Sequence, residues 1–285
     1  MINLAVRNLR IFFRQKSSVF FSLLGVFIII GLYVMFLGDV WVRSIPEGVP
    51  GARNLMNNWM IAGIVSVASI TTAMGAFGIM VEDRARKNSK DFHASPVKRS
   101  SIVGGYILSA FTVGLIMSLV TFAIGQIYIV ASGGALLPFG TMLKFLGVLF
   151  ISVLASSALV FFIISFISSL SAFSTASTVL GTLIGFLTGV YLPVGNMPEA
   201  MQWVITLFPV SHASALMRQL MLEAPMDESF AGVPEAIVSD FEFLMGITFT
   251  YGDYTASPWV HVAVLVGVAV VFFFLALWNV SRKSK

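Results

Sequence analysis

Cysteine is absent from the 285 residues, which excludes a disulfide framework, a thiolate metal site and a cysteine nucleophile. Charge is nearly as scarce. Asp, Glu, Lys and Arg make up 11% of the chain against 58% hydrophobic residues, and the mean hydropathy is +0.94. Soluble domains carry about 25% charged residues, so water cannot be the solvent for this whole surface. Disorder is excluded by the same figures, because disordered chains are poor in apolar residues and rich in charge. The composition is that of an integral membrane protein.

Further absences narrow its class. No G-x-x-x-x-G-K-[ST] phosphate loop occurs. No hydrolase constellation of nucleophile and base, or of clustered metal ligands, is visible, so a catalytic site, a metal site and a cofactor site in this chain are all read as none. The long apolar runs hold no Asp, Glu, Lys, Arg or His in their interiors, which argues against a proton- or ion-coupled pathway. Nor do the runs repeat as an inverted pair. Energy for uphill transport would have to come from another polypeptide.

What is present is long hydrophobic segments. A bilayer core about 30 Å thick needs roughly 20 apolar residues in helix. The sequence offers six: Val19–Gly38, Trp59–Val81, Ile102–Ala131, Phe145–Leu170, Thr175–Leu192 and Trp259–Val280. They lack the alternation of a barrel strand. With the N-terminus in the cytoplasm, 13 of the 17 Lys and Arg fall inside, whereas 10 of the 13 acids fall outside. That bias places both termini in the cytoplasm. The net charge of +4 and pI near 9.5 therefore reflect topology, and nucleic acid is not an expected partner.

Between the spans, several segments carry information. Residues 1–18 read as an interfacial amphipathic helix, with Arg7, Arg10 and Arg14 on one face and Ile2, Leu9 and Phe13 on another, suited to membrane lipid. A plain basic flank of the first span would need only the arginines. After spans one and two (19–81), the loop 82–101, EDRARKNSKDFHASPVKRSS, holds six basic and three acidic residues. It is longer than a turn requires and reads as a helix from Glu82 to about Phe92, then a Ser95-Pro96 turn. Either it is a solvated positive loop or it is an elbow that docks on a soluble partner.

Within spans three to five (102–192), Gly181, Gly185 and Gly189 form two overlapping G-x-x-x-G patterns for helix pairing, within the chain or across a dimer axis. Residues 193–223, broken by Pro193, Pro198 and Pro209, read as a helical hairpin re-entering the membrane, or else a helix flat on its surface. Residues 224–258 carry acids and no Lys or Arg, as in a solvated outer cap; no calcium-loop spacing is present. Residues 259–285 give span six and a basic tail. His93, His212 and His261 are expected to be scattered, forming no common site.

Taken together, NLRIFFRQKSSVFF, six spans, KDFHASPVKRSSIVGGYI after the second span, and P-x-G-x-M-P…P-V-S…LMR before the sixth resemble the type-two integral-membrane family of ATP-binding-cassette (ABC) export permeases. The resemblance covers nearly the whole chain, although the inner loop reads RARKNSKDF where many members have Arg-Glu-Arg-Gly-Thr. It implies an all-α integral membrane fold, a membrane dimer with a second permease copy, and a cytoplasmic ABC ATPase subunit that holds ATP and Mg. The loop becomes the coupling element, with Asp83, Lys87, Asp91 and Phe92 on the docking surface and Ser95 and Pro96 at the turn. Ser174, Thr175, Thr178, Thr182, Phe186 and Tyr191 are the path-lining candidates, in a charge-free lining that suits a hydrophobic or amphiphilic cargo. The rival reading is a membrane anchor or assembly protein for a soluble partner, without transport.

Overall fold

The structure is a computed structural model that describes residues 1–43, 49–86 and 98–282. In chain order the described helices are α1 (Ile2–Arg14), α2 (Lys16–Leu32), α3 (Gly38–Arg43), α4 (Ala52–Ala85), α5 (Arg99–Ala131) and α6 (Phe139–Phe166). They continue as α7 (Leu170–Leu187), α8 (Glu199–Leu207), α9 (Pro209–Ser229), α10 (Glu235–Leu244) and α11 (Pro258–Arg282). A π-helical stretch, Tyr33–Leu37, links α2 to α3, and a 3-10 turn, Val194–Asn196, precedes α8. A short antiparallel pair, β1 (Thr250–Tyr251) with β2 (Tyr254–Thr255), precedes α11.

Six helices are long and apolar enough to cross a membrane: α2 with its π-helical stretch, α4, α5, α6, α7 and α11. The chain is an all-α integral membrane protein. Three spans differ most in extent from the sequence expectation. The second runs Ala52–Ala85 rather than Trp59–Val81. The fourth runs Phe139–Phe166, ending where Ile167 turns extended, and the fifth ends at Leu187 rather than Leu192.

At the centre stands α4. In its most apolar window 78% of the residues are buried, against 11% for α2 and 11% for α7, so α4 is the axis and the other two form the open flank. Between Trp59 and Val81 its residues are apolar or small all round, as a helix needs when it has neighbours on every side. Hydroxyls are tolerated there because they bond within the helix: Ser66 donates to the Gly63 carbonyl, Thr72 to Ala68, and Ser69 to Ser66 while also meeting Ser156 of α6 at 3.1 Å. Close approach comes from glycines on its neighbours as well. A Cβ at Gly125 of α5 would strike Ile61, and one at Gly114 would lie 3.1 Å from Val153 of α6. In a bilayer such packing, rather than hydrophobic exclusion, binds helices.

Helix α1 lies against α5 and the end of α4. Its seat is the pair Gly104 and Gly105, where a Cβ on Gly105 would sit 2.9 Å from Leu4 Cβ and 3.1 Å from the Met1 carbonyl. The face turned to the protein is Ala5, Asn8 and Phe12, all buried, while Ile2, Val6 and Phe13 remain exposed. At the opposite end α9 runs through Pro225 to Ser229, so the expected boundary at residue 224 falls inside a helix. Ser229 donates to the Pro50 carbonyl at 2.8 Å and ties that helix end to the start of α4.

Candidate functional site

Three places carry polar chemistry in an otherwise apolar bundle. The first is where α4 leaves the bundle toward residues 87–97. Asp83, 4% exposed, accepts from Arg7 of α1 at 2.7 and 3.1 Å and from the Tyr106 hydroxyl of α5 at 2.7 Å. Arg7 also donates to Asn8, whose amide donates to Ser109 of α5 at 3.3 Å. One carboxylate thus pins three helices in a bidentate, charge-assisted clamp. The bond to Asp83 raises the Arg7 pKa further above its already high value, with partial burial opposing. The next residue, Arg84, donates to the carbonyls of Ile164 and Ile167, both at 3.1 Å, and closes the end of α6.

The placement of Asp83 corrects one expectation. Expected on an exposed docking surface, it is buried and its oxygens are engaged inside the fold. A carboxylate this far from water is stable only when paired. Lys87, Asp91, Phe92, Ser95 and Pro96 lie outside the described residues. Arg10 and Arg14 are exposed on α1, and Arg7 alone of the three arginines turns inward to Asp83.

The second place is a groove of about 460 Å³ between α2, α4 and α7. Its lining is apolar, with Phe21, Met74 and Phe173 among the walls, and its polar groups are the hydroxyls of Ser18, Ser22, Thr71, Ser177 and Tyr191. Of the path candidates Tyr191 lines it, with Phe186 edge-on at 5.1 Å. Ser174, Thr175, Thr178, Thr182 and Phe186 are exposed on α7 outside that lining. Thr175, Thr178 and Thr182 each donate to the carbonyl one turn back.

The glycine row on this helix also needs correcting. Gly189 is not on α7 at all. It has φ +65, and the Gly189 and Val190 amides close the helix by donating to Phe186 and Gly185, a Schellman end in which glycine takes the left-handed position. Gly185 is covered by the ring of its own chain's Tyr191, and Gly181 faces the open groove with no atom within 4 Å of where a Cβ would stand.

The third place lies where α9 meets the end of α7. A helix end leaves carbonyls without intrahelical partners, and here each is met. The Schellman bonds take Gly185 and Phe186. Ser211 donates to Leu187 at 2.5 Å, Ser214 to Thr188 at 3.2 Å, and Arg218 to Gly189 at 3.0 Å. Spacings of three and four put these donors on one face of α9. Arg218 is fully buried, also donates to Gly246 at 3.3 Å, and stacks 4.5 Å from the Trp59 ring centroid. Trp59 in turn donates to the Met245 carbonyl at 2.8 Å. Among the described residues no carboxylate pairs with Arg218; its counter-charge is the negative end of the α7 dipole and the face of an indole.

On its other side α9 meets α11. His212 Nδ1 and His261 Nδ1 are 2.8 Å apart, and His212 Nε2 is 3.0 Å from the Thr206 carbonyl. The expectation that these histidines share no site is overturned. They are separated by 49 positions in the chain but are joined because α9 folds back onto the start of the last span, a tertiary relation that no local pattern carries. Arg218, Trp59, Tyr106 and the histidine pair were all missed as site residues. The one available signal was the P-V-S…LMR string, whose serine and arginine spacing matches a helix face.

A six-span bundle with a buried clamp at one end, a helix-end knot at the other and an open apolar groove between them is a membrane transport scaffold, with no catalytic constellation among the described residues. The family model described as ABC-2 family transporter protein matches residues 42–278. The chain belongs to that family and is a membrane permease of the ABC transporter class, in which the membrane component is generally not itself catalytic and works with an ATPase. No curated protein matches the chain.

Proposed function

We propose that this chain is the permease subunit of an ATP-driven exporter, moving a hydrophobic or amphiphilic molecule out of the cell through the groove between α2, α4 and α7. The observation that supports it most is that groove. It is large, free of fixed charge and lined by apolar side chains with scattered hydroxyls. The two spans flanking it are the least covered along with α11, so a second permease copy can close over them. Thr175, Thr178 and Thr182, exposed on α7 beside the groove, bond back to their own helix.

In this reading both termini face the cytoplasm of an inner-membrane protein, and α1 rests in the headgroup layer with Ile2, Val6 and Phe13 in lipid. The segment 87–97 docks on a separate ATPase that binds ATP and Mg, and α8–α9 form a hairpin re-entering from the outer side. Asp83 acts as a positioning residue: it fixes α1 and α5 to the stem of that docking segment, so displacement of the segment moves α1 with it. ATPase closure then exchanges two global states of the permease pair.

The test is transport of a fluorescent amphiphile in inverted vesicles. Wild-type chain with its ATPase drives ATP-dependent uptake, and Gly181→Trp, which fills the groove, abolishes uptake while ATPase binding persists. Uptake at the wild-type rate in Gly181→Trp contradicts the path.

A further inference from the structure

His212 and His261 meet in the interior, 1% and 0% exposed, and their proton positions follow from their partners. The Thr206 carbonyl can only accept, so His212 Nε2 carries the hydrogen and, in a neutral ring, His212 Nδ1 is bare. The 2.8 Å contact then requires His261 Nδ1–H to donate. That leaves the His261 Nε2 lone pair buried, and it has no hydrogen-bond partner among the described residues. The chain of bonds runs from α11 through α9 to the last turn of α8.

We propose that this pair is a proton-binding latch which, neutral, fastens the α8–α9 hairpin to the last span and, when loaded with protons, releases it. A first proton adds at His261 Nε2 and creates a buried cation whose new N–H faces no acceptor among the described residues. A second adds at His212 Nδ1 and sets N–H against N–H across the same contact, so the bond is lost and two cations adjoin. Among the described residues neither charge has a counter-ion. The Tyr251 hydroxyl shares the Thr206 carbonyl at 2.9 Å, and Phe249 lies edge-on to both rings. On the packed elements, Glu199 of α8, Lys144 of α6 and Glu223, Asp227 and Glu228 of α9 are exposed, and Arg218 of α9 is engaged at Gly189 and Gly246. Burial holds His212 below the ordinary imidazole value, with the Thr206 bond opposing. The sign is therefore fixed: the latch holds above the ordinary imidazole range near about 6.5 and weakens as pH falls below it.

The absence of cysteine makes the test direct. Met201→Cys on α8 and Val266→Cys on α11 give the full chain in nanodiscs two spin labels and no other thiol. The interlabel distance lengthens reversibly on acidification from about pH 8 to about pH 5. It stays short in His261→Gln, whose amide still donates to His212 without titrating. An unchanged distance in the native pair, or the same lengthening in His261→Gln, overturns the latch. Nitrogen-15 spectra of the three histidines check it without a variant at the pair: a coupling across the Nδ1–Nδ1 bond near neutral pH supports it, and its absence there overturns it. Neither readout needs nucleotide or cargo, so failure here leaves the permease reading standing.

Discussion

Two arginine sites sit at opposite ends of the bundle and are solved differently. At the α1 end Arg7 meets a carboxylate, Asp83, and remains 36% exposed in its side chain. At the hairpin end Arg218 is fully buried with no carboxylate among the described residues, held by two carbonyls and the Trp59 face. A paired, half-open cation can let go and find water or lipid headgroups; a cation held by helix-end carbonyls in a sealed site has nowhere to go. The first arrangement suits a joint that transmits movement, the second a fastening that holds α9 to the end of α7. Three glycines adjoin the second: a Cβ on Gly63, Gly189 or Gly246 would lie 3.1, 3.4 or 3.2 Å from a guanidinium nitrogen.

That contrast is broken most severely at Arg218. Arg218→Met strands the Gly189 and Gly246 carbonyls and loses the indole contact, a combined cost of about 3–5 kcal/mol. It is measured as loss of monodisperse protein on heating in detergent. Arg218→Lys keeps the charge but cannot fork between two carbonyls, so it recovers only part of the loss. Gly185→Ala comes next at about 1–3 kcal/mol, because its methyl strikes the Tyr191 ring and the helix end must shift. Gly181→Ala on the same helix meets open space and leaves the melting temperature unchanged.

Smaller effects belong to the α1 end. Asp83→Asn removes the counter-ion of Arg7, but the half-exposed guanidinium can rehydrate, so the expected cost is about 1–2 kcal/mol. Its mark is local: faster hydrogen exchange in α1 and no change at α9. Loosening of both ends together would contradict the separation. Ser211→Ala is the mildest, about 1 kcal/mol, read as faster exchange at Thr188–Tyr191.

The fold was largely legible and the site largely was not. Span number follows from apolar runs, because bilayer thickness imposes length on sequence. Span ends were less visible: the Thr188–Gly189 stop lies inside an apolar run, and only the left-handed demand on glycine marks it. Asp83 was read as surface because it falls in a charged loop, yet its position in the last turn of α4 aims it at Arg7 and Tyr106, 76 and 23 positions away in the chain. His212 and His261 carried no local pattern that joined them. Local periodicity encodes helices; partners distant in sequence are encoded only by the packing.

The central claim is that this permease supplies the gate and another subunit supplies the energy. The most direct measurement is ATP hydrolysis by the tagged chain captured from native membranes, before and after its partners are stripped. The captured complex is predicted to hydrolyse ATP through a co-captured Walker-motif subunit, with activity falling to background on stripping and returning on re-addition. Hydrolysis that stays with the stripped chain, or capture that brings down no such subunit, would contradict the account.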